Sequence, residues 1–498
     1  MNRIWYVAKA VFTGLCITQI LATWHVFVSN KVLFHTISTI EGAGYLSVPN
    51  TLVAPTLRAF APAFFGGCFF TLSIGAGLSI FSVILAWVWD RILGRNRIWL
   101  APIVFLWLTP VAAMNGQGFS PMVTAYFFVV PLVVFVATLR WIPPEKTQKR
   151  WRNRLIPLAP IALLTLIWTA NADRFLFLDI RDFLLLSNPV GQKVDSFYYR
   201  YTLYPAQVFK TLQQKTLKTC RVPTLDDKTH TLRLQNIFIE NDYLPVAAGG
   251  PVDLEVVVSE NTLELNHGGK TIIQTTLRAF FSRPQKVLRD FSTKTDRHGP
   301  FRQATIVFLV IGFPVLLYIT VFAFIHFVTG FLAPPSRSFM FTAGICFVIG
   351  LGLLAPLVLG RSKTVPPDQV REALDASSWQ QRVSGLRTVV DDKQEIGRFP
   401  AYRQMLTSPH LPERYWVAKA LGASRQPETF SALETLLDDP HPNVVSMAFH
   451  ALSQRGNKRI VSQVLKRIAT SNHWYNQWYA YRTLRTLGWR QRKASGKQ

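Results

Sequence analysis

Two histidines, His25 and His326, sit inside long apolar stretches of the 498-residue sequence. An imidazole in such a setting can ligate a metal or haem, or relay a proton. His25 lies near the outer end of its stretch and His326 near the inner end of its own, so the two do not share a site. A hydrogen bond to a neighbouring helix is the plainer reading of each. In "LDIRD", Asp179 and Asp182 flank Arg181. Carboxylates at i and i+3 can share a cation, but helical spacing and the adjacent arginine favour a solvated face or a local ion pair. Glu240 and Asp242 in "IENDY" read as a strand end and a turn. The four cysteines, Cys16, Cys68, Cys220 and Cys346, form no CxxC or CxxCH motif, which argues against a thiol redox centre, an attached haem or a cysteine-rich zinc site. No P-loop, dinucleotide-binding glycine pattern, HExxH or GxSxG appears in its required context. The sequence therefore nominates no catalytic residue, no cofactor and no metal site, and it leans away from an enzyme.

The elements that carry these residues are mostly greasy. Hydrophobic residues make up 49% of the chain and mean hydropathy is +0.20. Apolar runs of about 18 residues or more cross the hydrocarbon core as helices. Seven stretches qualify: Tyr6–Val28, Phe60–Trp89, Ile98–Met114, Met122–Ile142, Leu155–Ala170, Thr305–Leu332 and Phe339–Leu359. The fifth is short and holds two prolines. Basic residues precede the first, but no small-x-small cleavage site follows, so it is expected to stay as a helix. Ion-coupled transporters place acids, bases or broken helices at mid-membrane. Ionisable residues are scarce here, which weakens a transporter reading and leaves lipid handling open.

Lysine and arginine concentrate in loops that stay cytoplasmic. "RWIPPEKTQKRWRNR" between the fourth and fifth stretches and "DRILGRNR" between the second and third are net positive, whereas "NGQGFSP" between the third and fourth is uncharged. The alternation expects a cytoplasmic N-terminus in a plasma membrane of the bacterial inner type. By parity both soluble regions then lie outside, on the periplasmic face. From Ala451 onward the chain has eleven basic residues and no acidic one, which would also suit anionic lipid on the other side.

Four segments follow: helices one to five over 1–170, an extracytoplasmic α+β domain over 171–303, helices six and seven over 304–360, and a C-terminal domain over 361–498. The insert opens with "DRFLFLDIRDFLLLSNP", too short and too charged to span, and suited either to the membrane surface or to packing on its domain. Aromatic rings crowd "SFYYRYTLYPAQVF", as at a lipid interface or a protein contact. "TLRLQNIFI" and "VDLEVVV" alternate enough to be strands, and "TLELNHGGKTIIQTT" reads as a hairpin around Asn266–Gly269. A small antiparallel sheet is expected over Thr231–Thr276. The basic stretch after it, "FFSRPQKVLRDFSTKTDRHGPFR", reads as a connector, solvated or lying on headgroups.

The C-terminal region repeats itself. Leu386, Leu421, Leu452 and Leu487 recur at spacings of 35, 31 and 35 residues, a period that marks stacked helix pairs. "LPERYWVAKALGASRQPETFSALETLLDD" and "DDPHPNVVSMAFHALSQRGNKRIVSQVLKRI" resemble HEAT repeats of the short type also found in phycobilin lyases, over about Ser377 to Trp489. The resemblance implies an all-α solenoid with an extended binding face. It does not imply lyase activity. Candidate partner-binding residues are Arg414, Trp416, Arg455, Lys458, Arg459, Trp474 and Trp478. The fold expected is thus a polytopic α-helical membrane protein with a small α+β domain and a C-terminal all-α HEAT-like solenoid. The function expected is a non-catalytic membrane scaffold or assembly subunit docking another protein of a membrane complex; the rival is a transporter or lipid-handling protein with soluble gating modules. Net charge is +26, but much of it flanks membrane helices, where lipid accounts for it, so no nucleic-acid partner is expected.

Overall fold

The charge-poor stretches fold as long apolar helices, which satisfy their backbone polar groups internally, as a segment able to cross a membrane must. The computed structural model describes residues 5–142, 158–171, 175–247, 250–260, 262–360 and 365–493. The basic loop from Pro143 onward, residues 155–157 of the fifth stretch, Asp173 and Arg174 of the insert, and the tail from Ala494 lie outside them. Contacts divide the chain into two units. One comprises Met1–Val28, Phe60–Ile180 and Arg297–Leu359; the other comprises Ser29–Ala59, Arg181–Asp296 and Gly360–Gln498.

In chain order, α1 is Trp5–Gly42, α2 Phe60–Phe70 and α3 Ala76–Arg91, the last two joined by a π-helical turn at Thr71–Gly75. Then come α4 (Leu100–Asn115), α5 (Pro121–Trp141) and α6 (Leu158–Ala170). The insert holds α7 (Pro189–Tyr201), α8 (Lys228–Glu240) and α9 (Pro284–Lys294). Next are α10 (Gly299–Val307), α11 (Phe313–Leu332) and α12 (Pro335–Gly360).

In the first unit, six helices among the described residues are long and apolar enough to cross a membrane, not seven. The fifth expected span is represented by α6, only 13 residues long. The first span is longer than expected: α1 has 38 residues, and those from Ser29 belong to the second unit. The two histidines stand apart within the bundle. His25 packs beside the rings of Phe70 and Tyr126 at 6.1 and 5.8 Å. His326 Nδ1 lies 3.1 Å from Ser338 Oγ on α12, and Thr329 joins Ser338 and Thr342 at 2.9 Å each. That network ties α11 to α12, as the plainer reading expects of His326, whereas His25 Nδ1 is buried without a hydrogen-bond partner among the described residues.

The second unit contains a five-stranded sheet in the order β2-β1-β3-β4-β5, with β1 Lys218–Arg221, β2 Tyr243–Pro245, β3 Leu254–Ser259, β4 Thr262–His267 and β5 Lys270–Thr276. The hairpin around Asn266–Gly269 is present as β4–β5, with Gly268 and Gly269 at φ 56° and 76° supplying the positive angles a tight turn requires. Three expectations are corrected. The sheet is mixed, because β1 runs parallel to both β2 and β3. "TLRLQNIFI" is helix α8, not a strand: Asp227 caps it by accepting the Thr229 amide, and Thr231, Leu234 and Phe238 bury one helical face. Alternation at Leu232 and Leu234 mimicked a strand, but Leu232 is exposed. The stretch after β5 is no solvated connector either. Phe280, Leu288 and Phe291 join Leu234, Phe238 and Cys220 in the core of the sheet.

The C-terminal array is built from α13 (Trp379–Asp391), α14 (Leu411–Ala423), α15 (Glu428–Leu436), α16 (Pro442–Arg455), α17 (Val461–Thr470) and α18 (Trp474–Thr486). The first helices of successive repeats begin at Trp379, Leu411, Pro442 and Trp474, 32, 31 and 32 residues apart. By this register Leu421 and Leu452 correspond to Val389 and Leu484 rather than to Leu386 and Leu487. The slip is one helical turn, and i and i+3 lie on the same face, so the sequence pattern alone does not separate the two alignments.

Candidate docking surface

Helical repeats bury their apolar stripes against one another and leave edges for ligands. Here the stack is sewn by arginines. Arg382, the fourth residue of α13, donates to the carbonyls of Ala376 and Ser377 and pairs with Glu413 of the next repeat. Arg414, the fourth residue of α14, donates to Ser408 O at 2.6 Å and pairs with Asp439 at 2.6 Å. Arg467 closes on Leu437 O and Asp438.

One side of the array is covered by other parts of the same unit. Asp182 is wholly buried, and its carboxylate accepts from Arg181 at 2.7 Å, Arg387 of α13 at 2.6 Å and Trp416 of α14 at 2.8 Å. Arg181 also lies 3.8 Å over the Tyr415 ring. The solvated face expected of Asp179 and Asp182 is therefore absent, since both are buried; the local ion pair with Arg181 is present. Along α7, Tyr199 donates to Asn443 and meets the Tyr475 ring, and Asp195 lies 3.6 Å from His441 Nε2. Burial pushes the Asp195 carboxyl up to about 6 and the His441 imidazole down to about 4. Burial likewise lowers His473 to about 4. At the far end, Tyr481 and Arg485 of α18 bind Asp242, and Arg490 pairs with Glu240.

The loop after α1 is held as firmly. Asn50 Nδ2 donates to the carbonyls of Ile468, Ala469 and Ser471 at the C-terminal end of α17, and its backbone amide donates to Gln477. Those carbonyls lack helical partners, and a side chain from the first loop supplies them. Gln491 pairs with the backbone of Leu46 in both directions.

The sequence-chosen residues fall into three groups. Trp416 and Trp474 are buried inside the unit, Trp474 against the Tyr204 ring. Arg414 is committed to Asp439, and Trp478 lies beneath Lys210 and Arg482. Arg455, Lys458 and Arg459 cluster at the end of α16, the last two exposed. Asp182 and Asn50 were not singled out as anchors. "DFLLL" hinted that Asp182 sits among buried neighbours, whereas nothing in the loop around Asn50 marks it. Among the described residues no group of three or more His, Cys, Asp or Glu could hold a metal ion.

A family model of HEAT repeats matches residues 399–485. The C-terminal region therefore carries HEAT-like repeats, modules typical of protein–protein interaction. Neither curated proteins nor solved structures yield a match.

Proposed function

We propose that this chain is a non-catalytic integral membrane scaffold or assembly subunit that docks a partner protein of a membrane complex through its HEAT-like repeats. The observation that carries the reading is the repeat array itself. One of its sides grips the chain's own loop and insert through Asp182, Asp242 and Asn50, while another edge holds exposed cations. A repeat stack needs only its neighbours to fold, so the exposed edge is available for recognition.

The proposed topology puts the N-terminus in the cytoplasm and the soluble unit in the periplasm of a bacterial inner membrane. Parity supports it. Residues 29–59, 181–296 and 360–498 belong to one unit and so share one side of the bilayer. An even number of crossings must then separate 59 from 181. The α2–α3 span, α4 and α5 supply three, and the fifth apolar stretch expected from the sequence is taken as the fourth. The net positive charge of "DRILGRNR" and "RWIPPEKTQKRWRNR" supports a cytoplasmic side for those loops under the positive-inside rule. The domain boundaries at 170, 303 and 360 remain proposals on the same footing, with the insert and the array working as one body.

Purification of the full-length chain from membranes in mild detergent tests the function. A stoichiometric protein partner is expected. Recovery of bound lipid with no protein would favour the lipid-handling rival instead. A reporter fused at Gln498 tests the topology, and activity of a cytoplasm-only reporter there would overturn it.

A further inference from the structure

A groove of about 1310 Å³ crosses the edge of the array where three successive first helices end. It is walled by the C-terminal ends of α13, α14 and α16 and by the loops that follow α13 and α14. Five cations line it, Lys393, Arg398, Lys419, Arg425 and Arg455, against a single carboxylate, Glu395. That carboxylate is already occupied: it accepts from Ser424 Oγ, from the Arg425 amide at 2.7 Å and from the Gly397 amide at 3.3 Å. Arg455 also has a structural task, clamping Leu421 O, Gln426 O and Thr429 Oγ1. Lys393, Arg398 and Arg425 are exposed, and among the described residues none of them pairs with a carboxylate. Behind them burial, with Arg181 next, lowers the pKa of Lys419. The groove is thus a concentration of positive charge that its own walls do not neutralise.

Its remaining chemistry narrows the ligand. Phe399 and Phe430 also line the groove, half-buried, with the Arg455 guanidinium 5.8 Å from the Phe430 ring centroid, and bring apolar surface for an apolar side chain. Gln394, Gln454 and Asn457 bring amides, which both donate and accept and so match a peptide backbone; a fully ionised phosphate needs no acceptor. Because the groove crosses three repeats, it suits an extended ligand over a compact one.

Building on the scaffold reading, we propose that this groove is the docking site for an acidic, extended segment of a partner protein, with aspartate or glutamate side chains on Lys393, Arg398 and Arg425 and an apolar residue between Phe399 and Phe430.

The test uses the full-length chain in detergent and a fluorescently labelled glutamate-rich peptide with interspersed phenylalanines, followed by anisotropy. The wild-type chain is expected to bind it, more weakly as salt rises, and to ignore a lysine-rich peptide of the same length. Arg398→Glu with Arg425→Glu should weaken binding by about tenfold or more, the scale of removing close charge pairs. Arg403→Glu with Lys466→Glu, both exposed and outside the groove lining, should change it by no more than about twofold. Equal binding by the groove variant, with its fold intact by circular dichroism, overturns the assignment. So does binding of anionic phospholipid vesicles or inorganic phosphate in place of the peptide. In the membrane pull-down, a partner retained by the groove variant removes the groove but keeps the scaffold, whereas no partner for the wild-type chain removes the scaffold itself.

Discussion

Asp182 shows how much one side chain can hold together. Its carboxylate is buried between Arg181, Arg387 and the Trp416 indole, so removing it strands two guanidinium groups away from water. Breaking a buried pair on one side costs about 3–5 kcal/mol. Asp182→Ala should therefore destabilise the soluble unit by that order, measured by denaturant unfolding in detergent, and Arg387→Met should cost less. A second residue-scale test concerns pH. The folded pKa values of His441 and His473 lie below the ordinary 6.5, at about 4. Between those values the unfolded chain binds more protons, so stability rises with pH. Asp195 acts oppositely: its pKa is raised to about 6, so the folded chain holds the extra proton and stability falls between about 4 and 6. Two terms oppose one, and a net rise from pH 4 to 6.5 is expected. Asp195→Asn should steepen it, by up to about 1.4 kcal/mol per pH unit. A flatter slope in that variant would contradict the assignment.

At the scale of elements, close helix contact decides the array. Gly422 in α14 faces α16, and a Cβ there would lie 2.9 Å from Ala451 Cα and 2.5 Å from Gln454 Oε1. Backbone cannot step aside as a flexible tip can, so Gly422→Val should cost about 1–3 kcal/mol through overpacking. A thermal unfolding midpoint unchanged from wild type would count against that contact. What was legible in the sequence follows the same logic. Helix pairs and long apolar spans were readable because their periodicity is sustained over many residues. The α8 segment was misread because a short run satisfies period two and helical spacing at once, and only the Asp227 cap and the buried Phe238 side decide between them. The parallel pairing of β1 was invisible, since strand direction depends on contacts between residues 220 and 254. Of the candidate partner-binding cations, Lys458 and Arg459 are exposed, whereas Arg455 is half-buried and clamps Leu421, Gln426 and Thr429. The burial of Trp416 was not readable, because its acceptor, Asp182, lies 234 positions away.

For the whole molecule, the soluble unit draws on three separated stretches of chain. Removing the last repeat, Ser471 to Gln498, would strip Asn50 of Gln477, Leu46 of Gln491 and Asp242 of Tyr481. Limited proteolysis of such a truncated chain should cut the loop over residues 43–59 and residues 240–247 faster than in the intact chain; equal resistance would show that these contacts do not hold the loop. The bond between Asn50 and Gln477 reaches across 427 residues, and that distance sets a timetable for biogenesis. The loop emerges from the ribosome early and stays without its anchor until every later helix and the final repeat have been translated. Any chaperone that shields the unanchored segment would meet its client at that first loop, long before the array exists to take it over.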